Sequence, residues 1–340
     1  MKIGITNLIP QNIAPPNATK VVVYDSNENQ IASIPLGRLT RPTKEKLYSF
    51  GLMSDIHLWK VTPNWQANYK LDAALAYFQE QGCSFCVHCG DLTDEGFYIE
   101  KYAEGGELDT GAFDKYNEIR KKYTIPIYGL CGNHESYNRP IKETLALLEE
   151  YTTELEELTG AAKLSYAVEQ GNDLFIFCGQ PTSNLVMSDE DFQWLQETLE
   201  TNKNKRCLVF VHSYIEEDSG DPKDVRENSI FESWGIEKKT AFMDMLAQYD
   251  NVILVHGHSH MKFVCQELDE NANYTEKNGF KSIHVPSLSK PRDIVDGASV
   301  NDDKGSEGYI VDVYEDCIVL NGRDFKNGKW SPHGTYKIMT

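Results

Sequence analysis

From residue 49 onward, short apolar runs alternate with stretches in which apolar residues recur every three or four positions. SFGLMS reads as a buried strand. YKLDAALAYFQEQG places Leu71, Leu75 and Phe78 at helical spacing with Gly82 at the stop, and reads as a helix. SFCVHC and PIYGLC are the next strands, and KETLALLEEYTTELEELTG is a helix ended by Gly160. SYAVEQ and DLFIFCG follow as strands. SDEDFQWLQETLE opens on Ser188 as a cap, with acids in the first turn where the helix dipole favours them. CLVFVH is a strand, KTAFMDMLAQY a helix and NVILVHG a strand. Past about residue 260 helical spacing ends, and FVCQEL, SIHVP, GYIVDVY and CIVLNGRDF form a run of β segments. The alternation predicts an α/β fold with a mainly parallel sheet covered by helices, and the tail predicts a second sheet completed late.

Residues 1–48 follow another pattern. KVVVYDSNENQIASIPL is two β runs around a turn-rich centre, a hairpin, and TRPTKEK reads as a linker. The expected organisation is an N-terminal β extension with a linker over 1–48 and a main domain over 49–340, β-rich from about 262. The extension is extra sheet or, alternatively, a docking element.

In open α/β sheets, functional groups gather just beyond the carboxyl ends of the strands. After FGLMS come Asp55-Ile56-His57, and after FCVHC come Gly90-Asp91. After IYGLC come Gly132-Asn133-His134-Glu135, after LVFV comes His212, and after VILVHG come His258-Ser259-His260. Five strand ends thus deliver seven candidate metal ligands: Asp55, His57, Asp91, Asn133, His212, His258 and His260. Imidazole, carboxylate and amide donors suit Zn, Fe or Mn and need no thiolate. Seven exceed one ion's needs but fit two ions sharing a carboxylate, about 3.5–4 Å apart, an arrangement that clamps the attacking and leaving oxygens of a phosphoryl displacement.

Charge and cysteine content narrow the classes. The formal charge is −19, so the surface repels phosphate backbones and anionic lipid heads, against a general nucleic-acid or membrane partner. No apolar run suits a signal peptide or the roughly 20 residues of a membrane span, so a cytoplasmic location with eight reduced cysteines is expected. Cys83, Cys86 and Cys89 in CSFCVHCGD are spaced by three along one strand, facing alternate sides. No second cysteine pair lies near enough to complete a structural zinc set, and they read as core. His88, His256 and His284 read as core or hydrogen-bonded histidines. Asp94 is expected to bond its own turn or a ligand histidine. Lys290 and Arg292, in SKPRD, are a surface loop or a positive loop in which Arg292 would hold a substrate phosphate.

The ordered motifs D-x-H, GD, GNHE, H and G-H-x-H, spanning residues 55–260, resemble those of the calcineurin-like metallophosphoesterase superfamily. The resemblance implies a four-layer αββα sandwich and two divalent ions, Mn, Fe or Zn. It implies one ion on Asp55, His57, Asp91 and His260, and the other on Asp91, Asn133, His212 and His258, with Asp91 bridging. It further implies attack on phosphorus by a metal-bound hydroxide, with His134 stabilising the transition state or protonating the leaving oxygen. Where protein Ser/Thr phosphatases have GDxxDRG, this chain has GDLTDEG, with Glu95 at the arginine position. Thr93 and Asp94 stand where purple acid phosphatases place a tyrosine ligand. What remains is similarity to the bacterial and phage phosphodiesterase-like branch, acting on a small phosphorylated substrate. A phosphomonoesterase of the same fold, or a scaffold docked through residues 1–48, are the alternatives.

Overall fold

The computed structural model describes residues 20–24, 30–35, 42, 44–59, 66–94, 111–136, 165–179, 185–213, 234–265, 273–277 and 279–340. Strands β1 (Lys20–Tyr24) and β2 (Gln30–Pro35) pair antiparallel as a hairpin, as the two β runs around DSNEN predict. Two six-stranded sheets follow. The first has the order β16-β15-β14-β3-β4-β5, from β3 (Lys46–Met53), β4 (Phe85–His88), β5 (Ile127–Gly129), β14 (Glu307–Tyr314), β15 (Cys317–Asp324) and β16 (Lys329–Met339). The second runs β10-β11-β9-β8-β7-β6, from β6 (Tyr166–Gln170), β7 (Asp173–Phe177), β8 (Arg206–Val211), β9 (Val252–His256), β10 (Tyr274–Lys277) and β11 (Phe280–His284). β3-β4-β5 and β7-β8-β9-β11 are parallel, and the remaining strands add antiparallel at the edges.

Strand alternation explains the layering. Phe50, Leu52, Phe85 and Val87 of the first sheet share one buried cluster with Phe175, Phe177, Phe210 and Val255 of the second, so the sheets face each other. Phe175 meets Phe50 and Phe85 edge-on, with centroids 5.2 and 5.1 Å apart. On the first sheet's outer face, Met53, Cys86 and Ile127 pack on helix α1 (Ala67–Glu80) through Leu71, Leu75 and Phe78. Helix α2 (Gly111–Arg120) adds Phe113, Tyr116 and Ile119 to the same cluster. On the second sheet's outer face, Ile176, Val209 and Leu254 pack on α4 (Asp189–Thr201) and α5 (Gly235–Leu246), while α3 is the single turn Asn133–Ser136. Ser188 caps α4, accepting the Asp191 N–H at 3.0 Å.

The tail does more than complete a second sheet. β10 and β11 extend the second, but β14, β15 and β16 extend the first, with β14 antiparallel to β3. FVCQEL was expected as a strand, but its Phe263–Cys265 are irregular, because the chain there turns to bring Cys265 and Met261 onto Ile294. That turn serves the small hairpin β12 (Arg292–Val295) with β13 (Ala298–Asn301). Helix α2 was missed, although Phe113, Tyr116 and Ile119 carry its spacing. The predicted helix over 142–160 lies outside the described residues. Among the described residues no helix is long and apolar enough to cross a membrane.

All eight cysteines are buried and unbridged. Cys86 and Cys89 face opposite sides of β4, but Cys83 precedes the strand and joins Cys86 under the helices.

Candidate metal centre

The residues just past β3, β4, β5, β8 and β9 meet at one edge. The loops after β3 and β4 are laced together, the N–H groups of Ile56 and His57 both reaching the Asp91 carbonyl, at 2.8 and 2.9 Å. Holding side chains there demands unusual backbone. Asp55, His57, Asp91, His258 and His260 all have positive φ, between 49° and 67°. For non-glycine residues such conformations cost about 1–3 kcal/mol each and persist only where surrounding structure imposes them. Gly90 also sits at φ 93°, and a Cβ there would strike the His212 ring, while one on Gly132 would collide with the Asp91 carboxylate.

Ligand atoms of Asp55, His57, Asp91 and His260 lie within 4.8 Å of one another, as do those of Asp91, His212 and His258. Asp91 belongs to both groups. Asn133, also buried, opens α3 between Gly132 and His134, and the His134 N–H donates to Asp91 Oδ1 at 2.9 Å. His134, like His258, is only partly buried, its side chain one-fifth exposed. Its Nδ1 lies 2.8 Å from Asp94 Oδ1, the oxygen that also takes His57 Nδ1 at 2.5 Å. Asp94 Oδ2 accepts from Lys290 Nζ at 3.0 Å. Arg292 forms a backbone bond to the His260 carbonyl, but its side chain bonds Asn301 Oδ1 at 3.3 Å and not any of the seven candidate ligands.

Three imidazoles are locked in the same sense. A carbonyl or carboxylate can only accept, so Nδ1 carries the proton where it faces one. His57 Nδ1 faces Asp94, His212 Nδ1 faces the Cys89 carbonyl at 2.6 Å, and His260 Nδ1 faces the Lys290 carbonyl at 3.2 Å. Each therefore turns Nε2 inward, as metal-binding histidines do when the other nitrogen is held by an acceptor, with His260 Nε2 3.0 Å from Asp55 Oδ1 and His212 Nε2 3.2 Å from Asp91 Oδ2. His57 Nε2 and His260 Nε2 stand 3.0 Å apart, and His212 Nε2 and His258 Nδ1 stand 3.1 Å apart. Ring nitrogens so close need a proton or a cation between them.

The carboxylates tell the same story. Asp55 Oδ1 and Asp91 Oδ2 are buried and make no aligned hydrogen bond, although Asp55 Oδ2 takes the His258 N–H at 3.0 Å. Burial opposes their ionisation, yet His260 holds Asp55, and His212 and His134 hold Asp91, below the usual carboxylate range. Burial and the nearby Lys290 ammonium depress His57 to about 3, against the pull of Asp94. Burial would lower His212 too, but Asp91 and Asp55 outweigh it and raise the ring to about 9. His134 is raised despite burial, by Asp91 and Asp94. Buried carboxylates, inward-turned ring nitrogens and a demand for positive charge fit divalent cations of the Mn, Fe and Zn type, and among the described residues no cysteine joins either group.

Two residues of the cluster escaped the strand-end reading as individuals. Sequence shows Glu135 only as a letter of its motif, yet its buried carboxylate takes the N–H groups of Asp91, Thr93 and Gly132. Lys290 reads in the sequence as loop charge, yet it reaches Asp94.

Residues 48–262 match the family model described as calcineurin-like phosphoesterase. Among solved structures, a dimetal phosphatase from Danio rerio is similar at 15% identity and TM-score 0.59, over 87% of this chain and 99% of that one. The purple acid phosphatase PPD1 from yellow lupin (Lupinus luteus) seeds is similar at 15% identity and TM-score 0.56, over 94% of this chain and 59% of that one. At such identity the likeness carries the fold alone. No curated protein sequence matches the chain significantly.

Proposed function

The chain belongs to the calcineurin-like phosphoesterase family, a hydrolase of phosphate ester bonds, and on that premise we propose that it is a phosphodiesterase acting on small organophosphates at a dinuclear metal centre. The single observation that carries the reading is the convergence of two ligand groups on Asp91. Asp55, His57, Asp91 and His260 would hold one ion, and Asp91, Asn133, His212 and His258 the other. Bound there, divalent ions supply Lewis acidity, polarising a phosphoryl oxygen and making a nucleophile of water near neutral pH.

The chain's own residues do the rest. His134, partly exposed and raised above its ordinary pKa by Asp91 and Asp94, carries a proton it can give to the leaving oxygen. Asp94 Oδ1 stands 2.8 Å from that ring's Nδ1, which leaves Nε2, 3.8 Å from Asp91 Oδ2, to face the substrate. The preference for a diester follows from charge. A monoester brings a second negative charge, and Lys290, the ammonium beside this cluster, is already neutralised by Asp94.

The test is turnover of bis-p-nitrophenyl phosphate and p-nitrophenyl phosphate by chelator-stripped protein re-supplied with Mn²⁺. Metal-dependent turnover with the higher kcat/KM on the diester supports the reading. A higher value on the monoester would reassign it as a phosphomonoesterase, and turnover indifferent to metal would refute the dinuclear mechanism.

A further inference from the structure

Lys290 touches the candidate centre twice. Its ammonium donates to Asp94 Oδ2 at 3.0 Å, from a side chain only 14% exposed. Its backbone carbonyl faces His260 Nδ1 at 3.2 Å. The segment bearing it is pinned from both sides. Ser287 Oγ donates to the Asp55 carbonyl at 2.7 Å and accepts the Lys290 N–H at 2.8 Å. Lys70, fully buried on α1, donates to the Ser289 carbonyl at 2.6 Å. The ammonium is therefore delivered by a rigid segment into the wall of the site.

Asp94 explains what it does there. Its Oδ1 is shared by His57 and His134, and its Oδ2 is held by Lys290. The carboxylate is almost fully buried, so without Lys290 one oxygen loses its donor where water does not replace it. A carboxylate in that position rotates to find another donor, and each rotation withdraws Oδ1 from an imidazole. We propose that Lys290 is a positioning residue for phosphoester hydrolysis: by holding Asp94 at both oxygens, it keeps His57 turned with Nε2 toward the metal side and keeps His134 aimed at the substrate. The inference rests on the phosphoesterase reading. A direct grip on the substrate phosphate fits less well, because the charge is spent on Asp94.

The test uses the full chain loaded with Mn²⁺, with Lys290→Met, Lys290→Arg, Asp94→Asn and the Lys290→Met/Asp94→Asn pair. Lys290→Met should lower kcat about 10- to 100-fold, the usual effect of losing a group that orients metal-site histidines, with KM held within about twofold. Lys290→Arg should recover most of the loss. Adding Lys290→Met to Asp94→Asn should cost less than about twofold more, because both act through one carboxylate. A raised KM with kcat intact would make Lys290 a substrate ligand, and losses that multiply would make it independent of Asp94; either overturns the proposal. Should Lys290→Met not fold, Lys290→Gln takes its place and is read the same way. If the wild-type chain binds metal but turns over neither ester, the phosphoesterase reading fails, and the positioning role is then decided without turnover. In ¹⁵N-histidine-labelled, Zn²⁺-loaded protein, the Nδ1–H resonances of His57 and His134 should shift or vanish in Lys290→Met. Unchanged resonances would overturn it.

Discussion

Glu135 Oε2 receives the backbone N–H of Asp91 at 3.1 Å, while the same carboxylate takes those of Thr93 and Gly132 at 2.7 Å each. One buried side chain thus clamps the loop after β4 to the loop after β5, and with them the Asp91 carboxylate to the one-turn helix of Asn133 and His134. Burial and the charge of Asp91 push Glu135 up to about 7, against the pull of those N–H groups. Glu135→Gln keeps the size but offers one acceptor oxygen in place of two. It should cost about 1–3 kcal/mol in urea melts through an unmet buried donor. Turnover should fall about 10- to 100-fold because the ligand loops lose their clamp.

On the proposed function, Asp91 couples metal binding to the fold. An ion that binds the folded chain alone stabilises it by about 2.7 kcal/mol when free metal stands a hundredfold above its dissociation constant. Mn²⁺ should therefore raise the melting temperature of the wild-type chain. In Asp91→Asn, which loses the carboxylate charge common to both groups, that rise should largely disappear. Calorimetric scans with and without metal measure the difference.

At the amino ends of the parallel strands, the edge remote from the centre, a buried latch joins the sheets. Arg206 grips Asp173 with two bonds of 2.8 Å, Tyr48 Oη donates to the same carboxylate at 2.5 Å, and Arg206 also reaches the Tyr314 carbonyl at 3.0 Å and Thr340 Oγ1 at 2.9 Å. Arg206→Met leaves Asp173 buried without its cation and should cost about 3–5 kcal/mol. Combining it with Asp173→Asn should restore much of that, since the stranded charge is gone. Denaturant unfolding of the three variants checks both statements.

A pH dependence follows from Glu307, whose carboxylate takes the Phe263 N–H at 2.7 Å. Burial raises this group from 4.5 to about 8, although the Phe263 N–H and Lys262 pull the other way. The folded chain thus holds a proton that the unfolded chain has released. This stabilisation is complete below the unfolded value and is lost as pH rises toward the folded one. In Glu307→Gln the unfolding free energy should fall less between those two pH values than it does in the wild type.

Much of the candidate site is legible as sequence because parallel strands put their next residues at one edge, whatever the loops do afterwards. Asp55, His57, Asp91, Asn133, His212, His258 and His260 could be picked that way. Lys290 could not be separated from Arg292, since both sit in one basic loop and only the path of the chain distinguishes them. The same strand-end rule, applied to SIHVP, would have favoured Lys290: β11 runs parallel to β9, and Ser287, Ser289 and Lys290 follow its carboxyl end. The orienting contacts of Asp94 and Glu135 depend on side chains from different loops meeting in space, which spacing does not encode. Helix α2 was within reach, because Phe113, Tyr116 and Ile119 repeat at helical intervals; its polar surroundings and adjacent glycines concealed it.

The central claim is that Asp91 joins two metal-binding groups in one centre. Equilibrium dialysis of chelator-stripped protein against Mn²⁺, followed by metal analysis, tests it most directly. Two ions bound per wild-type chain, with marked loss in Asp91→Asn, is the predicted result. One ion or none per wild-type chain at saturation, or two ions retained equally by Asp91→Asn, would contradict it.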